Sequence, residues 1–297
     1  MDNFSNFLCP LFFIHCPLSI VHCLNKKTMS VKILEGKRGV IFGALNEQSI
    51  AWKTALHAHA NGAKIVLTNA PVAMRFGEIK ELGKTINAEI ISADATSVED
   101  LEKLFTSSRE ILGGKLDFVL HSVGMSINLR KGKHYTDLNH EWMKQTLDVS
   151  SISFHKMMQV LYKQDAMADW GSIVALTYIA AQRVFPDYNE MADAKALLES
   201  FARSFGYHFG TKNKVRVNTI SQSPTWTTAG SGVKGFKEFF DYADKMSPLG
   251  NATAAACADF CVAMFSDFTR YITMQNLFHD GGFSNMGMSP ALVTIPE

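Results

Sequence analysis

The sequence predicts an α/β protein built on a single doubly wound parallel sheet. Two observations carry this. Short β-branched runs alternate with longer stretches of helical periodicity from Lys37 onward. The alternation runs on without a long linker, charge block or internal repeat. Such a pattern implies right-handed βαβ crossovers, which cover both faces of one sheet with helices.

Taken in order, residues 38–43 read as a first strand, 49–61 as a helix and 63–68 as a second strand. Residues 72–87 are helical in period and 89–92 strand-like. Residues 98–112 form a helix with Thr96 or Ser97 as N-cap, because a short hydroxyl side chain there accepts from a first-turn N–H. A fourth strand covers 116–121, and one long helical region covers 139–164. The apolar run 172–177 is a buried fifth strand. Asp187 and Glu190 have capping-box spacing and predict a helix that carries Tyr188 and Lys195. Residues 214–220 form a sixth strand, and 272–278 a seventh after two helical patterns. The expected architecture is Rossmann-like, with about seven strands and helices on both faces.

Composition narrows the function class. Across 297 residues, 47% are hydrophobic and 19% charged, ordinary for a globular enzyme. A net charge of +1 argues against nucleic acid or an anionic membrane as main partner. The body holds no apolar run of about eighteen residues, the length a membrane span needs. Residues 1–28 differ from the rest. They are rich in Phe, Pro and His and carry three of the five cysteines, Cys9, Cys16 and Cys23. Asp2, Pro10, His15 and Pro17 spoil a secretory signal, and the cysteines lack the close pairs of a zinc site, so no metal is expected. Residues 1–28 are read as a non-structural extension, and 29–297 as one domain. Cys257 and Cys261 lie on an apolar helical stretch and read as core thiols in a reducing cytoplasm.

The most informative segment runs from Tyr178 to Lys195. Tyr188 and Lys195 are seven residues apart, which is two helical turns and one face. A fixed ammonium beside a phenol favours the phenolate and lowers its pKa, which makes a useful acid. Tyr178 ends the fifth strand, so both phenols can meet one pocket. Nucleotide-binding signals fall at the other strand ends. Gly43 follows the first strand, and small Ser49 and Ala51 flank Ile50 at the next helix start, where a pyrophosphate can approach backbone N–H groups. Asp94 and Ala95 follow the third strand, and Ser122, Val123 and Gly124 the fourth. Ligands of open α/β sheets bind at these carboxyl ends.

These residues together resemble the short-chain dehydrogenase/reductase superfamily, and within it the divergent branch of enoyl-acyl-carrier-protein reductases. The resemblance covers about Leu34 to Gly287. It rests on Gly43-x5-Ser49-x-Ala51, on His121-Ser122-Val123-Gly124 and on Tyr178-x9-Tyr188-x6-Lys195, where ordinary short-chain reductases have Tyr-x3-Lys. The motif 278–282 resembles the end of the family's last strand. The resemblance implies that Tyr188 contacts a thioester carbonyl, Lys195 the nicotinamide ribose, and Tyr178 the acyl pocket. It places Gly43, Ser49, Ile50, Asp94, Ala95, Ser122, Val123, Gly124, Pro224, Thr225 and Thr227 around the cofactor, and Met125 and Ser126 beside the substrate. Gln222-Ser223-Pro224 departs from the usual Ala-Gly-Pro, and Met125-Ser126 is less aromatic than usual. Both changes bear on pocket shape.

The implied reaction reduces a trans-2-enoyl thioester on acyl carrier protein with NADH. NADPH is less expected, because no Arg/Lys pair follows the second strand at Asn69, although Arg75 lies one turn on. The family implies a cytoplasmic homotetramer. Residues 225–242, with Gly230, Gly232 and Gly235, read as a lid. A 3-oxoacyl reductase and a non-catalytic dinucleotide-binding regulator are the alternatives. The wide Tyr–Lys spacing argues against the first, and retention of both tyrosines with the lysine argues against the second.

Overall fold

The computed structural model describes residues 31–75, 78–231 and 235–292. The expected boundary at residue 28, and Gly232 of the lid, lie outside them. Among the described residues the strands form one seven-stranded sheet in the order β3-β2-β1-β4-β5-β6-β7, and every pairing is parallel. The strands are β1 Arg38–Phe42, β2 Lys64–Asn69, β3 Glu89–Ser92, β4 Leu116–His121, β5 Met167–Thr177, β6 Arg216–Gln222 and β7 Asn276–His279. The helices are α1 Ile50–Ala60, α2 Pro71–Met74, α3 Glu78–Ile86, α4 Val98–Leu112, α5 Ile127–Arg130, α6 His140–Leu147, α7 Ser153–Lys163, α8 Glu190–Asn213, α9 Thr228–Ser231, α10 Phe236–Met246 and α11 Ala254–Phe265.

Side-chain alternation along the strands builds two cores. Val40 and Phe42 of β1, Val119 of β4, and Ile173 and Ala175 of β5 face α4, α7 and α8 through Phe105, Phe154 and Leu198. Ile41, Phe118, Leu120 and Val174 face the opposite side, against Trp52 of α1 and Cys261 and Phe265 of α11. A central strand buried on both faces therefore reads as a continuous apolar run, which is how these strands were legible. Phe118 stacks on Phe265 with centroids 4.4 Å apart. Fully burying a side chain of this size contributes roughly 2–3 kcal/mol.

Three local expectations need correcting. The helix expected over 72–87 is two pieces, because Pro71 starts a single turn that closes at Arg75. The helix expected over 139–164 is interrupted by a π turn at Asp148–Ile152. The third lies at the Tyr188 segment. Residues Pro186–Tyr188 form a 3-10 turn, and α8 starts only at Glu190. Asn189 stands between them at φ 48°, ψ −145°, a conformation L residues rarely adopt. No side chain caps α8 at Asn189, so the Asp187/Glu190 spacing is not a capping box. Tyr188 and Lys195 do not share a helix.

The sheet order reverses between β1 and β4, which opens the crevice where such folds bind ligands. Gly43 has φ 91° there, and a Cβ on it would lie 2.0 Å from the Ser122 carbonyl oxygen. Glycine lets the loops after β1 and β4 touch.

Candidate active site

A cavity of about 280 Å³ opens beyond the carboxyl ends of β4, β5 and β6. Tyr178, Tyr188, Lys195, Ile50, Ser122, Val123, Gly124, Met125, Ser126, Pro224, Thr225 and Thr227 all line it. The site residues expected from the sequence therefore converge, apart from four. Gly43, Ser49, Asp94 and Ala95 stand outside the cavity. Ala95 belongs to the core, and Asp94 Oδ1 accepts from Thr96 N and Oγ1 at 2.8 and 2.7 Å. Ser49 Oγ accepts from Leu45 N and Asn46 N, both at 3.1 Å, so its hydroxyl orders its own loop. It makes no side-chain cap bond to α1, which leaves the first-turn N–H groups to an anion.

Tyr178 follows β5 in extended conformation and is buried. Its Oη has no hydrogen-bond partner among the described residues. Its ring packs on Tyr188, with centroids 5.1 Å apart at 53°, and edge-on to Phe239 at 5.9 Å. The 3-10 turn and the unusual Asn189 backbone deliver Tyr188 to this spot. Asn189 Nδ2 donates to Lys133 O at 2.7 Å, which holds the turn. Lys195, buried on α8, donates from Nζ to Leu176 O at 2.9 Å. Gly124 lies opposite, and a Cβ there would sit 3.7 Å from Nζ. The remaining Nζ donors face a gap that a side chain at 124 would narrow.

The electrostatics differ from the sequence expectation. Burial pushes the Tyr188 phenol up to about 12. Burial, with lesser contributions from Tyr188 and Asp280, pushes Tyr178 further up. Burial lowers Lys195 to about 8, opposed by Glu199. Burial is the whole cause at Tyr188, with no lowering by Lys195, so both phenols are neutral donors. His121 is driven down to about 3, first by burial and then by Lys195. Its Nε2 lies 2.9 Å from Ser153 Oγ, which itself donates to Val149 O. His121 is therefore neutral with its proton on Nε2, a structural group and not a base.

Several cavity residues were not singled out from the sequence. Leu129 and Arg130 come from α5, Met191 from the same face of α8 as Lys195, and Phe236 and Phe239 from α10. The i, i+4 spacing of Met191 and Lys195 could have been read in advance, and Phe236 and Phe239 fall within the expected lid. Ser150, in the π turn, accepts from Met125 N at 2.9 Å and lies 3.0 Å from Met125 O. Gln222 lines the cavity as expected from its bulk, and its amide is fixed by His279 Nδ1, 2.8 Å from its Oε1, and by its donation to Thr225 Oγ1 at 3.2 Å. His57 lies outside this cavity and pairs with Asp259 at 2.7 Å.

A family model described as enoyl-(acyl carrier protein) reductase matches residues 43–284, which takes in every one of these groups. The chain belongs to that family. The NADH-type enoyl-acyl-carrier-protein reductase 1 of Rhizobium meliloti (strain 1021) is 32% identical over 259 residues, covering 86% of this chain and 93% of its own. The crystal structure of the FabI–NADH complex from Alistipes finegoldii superposes with a TM-score of 0.88 at 59% identity, over 90% of this chain and 94% of that one. The Bacillus cereus enoyl-acyl carrier protein reductase, solved with NADP+ and indole naphthyridinone, is 28% identical with a TM-score of 0.80, over 86% and 99%. Among the described residues, no helix of this family member is long and apolar enough to cross a membrane.

Proposed function

We infer that the chain reduces a trans-2-enoyl thioester carried on acyl carrier protein, with NADH as the reductant, as the reductive step of type II fatty-acid elongation. One observation carries this within the family. Two neutral phenols and a buried lysine, from the loop after β5, a 3-10 turn and α8, line one mostly apolar cavity. Similarity to NADH-type reductases and to a FabI–NADH complex supports the choice of cofactor.

The residues fit a dinucleotide. Lys195 has donors to spare beside Gly124, where ribose hydroxyls would lie. The uncapped start of α1 at Ile50 suits a pyrophosphate. Gly43, Ser49, Asp94 and Ala95, at the ends of β1 and β3, would bound the adenosine end, and Ser122, Val123, Pro224, Thr225 and Thr227 the nicotinamide end. The Asn69 side chain is spent on Ala44 O at 3.2 Å and Ala70 N at 2.9 Å, and so offers no clamp for a 2′-phosphate. NADH is accordingly preferred over NADPH, although one relative was solved with NADP+.

Bound NADH supplies the hydride for the β-carbon. Tyr188 donates a hydrogen bond to the thioester oxygen, which gains charge in the transition state. A neutral phenol suits that task, because the donor needs its proton at the moment the oxygen turns negative. Lys195 holds the ribose and adds a positive charge nearby. Tyr178, packed between Tyr188 and Phe239, shapes the acyl side together with Met125 and Ser126. A proton then reaches the α-carbon. Residues 225–231 and 235–242 would act as a lid over the acyl chain. We place the enzyme in the cytoplasm as a homotetramer whose substrate partner is acyl carrier protein, and regard residues 1–28 as outside the functional domain. The test is a spectrophotometric comparison of crotonyl and acetoacetyl thioesters with NADH and NADPH. Oxidation of NADH by the crotonyl thioester alone is expected. Preferential turnover of the acetoacetyl thioester would replace this reading with a carbonyl reductase.

A further inference from the structure

Glu190 is a fully buried carboxylate that the reaction above does not use. It is the first residue of α8, two positions after Tyr188. Its Oε1 accepts from Ser126 Oγ at 2.7 Å, Thr146 Oγ1 at 3.0 Å and Asn128 Nδ2 at 3.1 Å. These donors come from the loop after β4, from α6 and from α5. One oxygen thus ties the segment that forms a cavity wall, through Met125, Ser126 and Leu129, to the helix that begins beside Tyr188.

The three donors do not depend on Glu190 equally. Thr146 Oγ1 also lies 2.9 Å from Trp142 O. Asn128 Nδ2 spends its other proton on Asn139 O at 3.1 Å, so its amide stays anchored without Glu190. Ser126 has no other acceptor for its hydroxyl proton among the described residues, while its oxygen accepts from Leu129 N at 3.0 Å. Ser126 lines the cavity beside Leu129, Met191 and Tyr188. Without Glu190, its proton would be a buried donor in search of an acceptor at an apolar wall, and an orphaned group of that kind is costly.

We propose that Glu190 is a positioning and specificity residue for the acyl thioester: it draws the Ser126 hydroxyl out of the cavity and fixes the Met125–Leu129 wall against the start of α8, keeping the acyl side apolar and in register with Tyr188. The proposal rests on the enoyl-reductase reading. It gives Ser126 a role of shape, as a hydroxyl already engaged and not offered to the substrate.

The experiment compares Glu190→Leu, Glu190→Gln and the double variant Glu190→Leu/Ser126→Ala by steady-state kinetics on a crotonyl thioester, with NADH affinity by fluorescence. Glu190→Leu raises KM on the order of tenfold. The kcat falls by no more than about twofold and the NADH dissociation constant holds, because binding of the acyl group is what is lost. Removing the orphaned hydroxyl in the double variant brings KM back to within about threefold of the parent. A KM for Glu190→Leu within about twofold of the parent, or a double variant no better than Glu190→Leu, overturns the proposal. Glu190→Gln keeps one oxygen acceptor and raises KM about threefold; should the leucine variant not fold, an unchanged KM in the glutamine variant overturns the proposal by itself. A parent that reduces no enoyl thioester refutes the function instead. The tether is then read from deuterium uptake over residues 125–131, which must rise in Glu190→Gln, and unchanged uptake overturns it.

Discussion

The two walls of the cavity are held by different physics. On the α8 side the contacts are buried and directional. Lys195 is bonded to Leu176 O, Asn189 to Lys133 O, and Glu199 accepts from Thr177 Oγ1 at 2.9 Å and Gln182 Nε2 at 3.1 Å. On the α10 side the contacts are mainly rings. Phe239 meets Tyr178 and Phe185 edge-on at 5.9 and 5.4 Å, and Trp226 packs on Phe236 at 4.8 Å. Hydrogen bonds fix angles, and a proton donor must be aimed. Ring packing is tolerant of small shifts, which suits a wall that receives chains of different shape. On the proposed reading, the directional wall carries the chemistry, and the ring wall adapts to the acyl chain.

The largest expected effect lies on the directional wall. Lys195→Ala should raise the NADH dissociation constant by about tenfold to a hundredfold and lower turnover as well, since a charged hydrogen-bond donor is lost. Fluorescence titration with NADH checks it, and unchanged affinity would move the ribose contact elsewhere. The same lysine gives a pH test. With a pKa of about 8, its charge is present below that value and lost above it. NADH affinity should weaken as pH rises through about 8, and this step should vanish in Lys195→Ala. Stability of the unliganded protein moves the other way. The unfolded lysine keeps its proton up to about 10.5 and the folded one gives it up near 8, so the contribution of this group to stability rises across that window.

On the ring wall, Phe239→Ala should act on the substrate alone. Loss of two edge-on contacts predicts a KM for the enoyl thioester about fivefold to tenfold higher, with NADH affinity unchanged. An equal effect on NADH would erase the distinction between the walls. The smallest effect is expected outside both. A protein beginning at Met29 should match the full chain in activity and melting temperature, and loss of either would give residues 1–28 a role.

The sheet was legible in the sequence because its central strands are buried on both faces and appear as unbroken apolar runs. The span 98–112 was legible to the residue, since Ser97 caps it and Gly113 ends it in left-handed conformation at φ 75°. That most of the candidate residues would share one cavity was legible, but their geometry was not. Tyr188 and Lys195 have helical spacing, and only the positive-φ backbone of Asn189, which that spacing does not announce, puts Tyr188 in a separate turn. The sign of the phenol shift was missed for a related reason: a lysine at helical spacing is visible in sequence, whereas the burial that sets the Tyr188 shift is a property of the assembled cavity. Glu190 was read as a capping residue because its true partners, Ser126, Asn128 and Thr146, are dozens of positions away.

The most direct test of the account is Tyr188→Phe, assayed for NADH affinity and for turnover of a crotonyl thioester alongside Tyr178→Phe and the double variant. Tyr188→Phe removes only the hydroxyl. The account predicts a fall in kcat on the order of 10²-fold with NADH affinity intact, and a double variant worse than either single one. Turnover equal to the parent in all three variants would contradict it, because the reaction would then not run through these phenols.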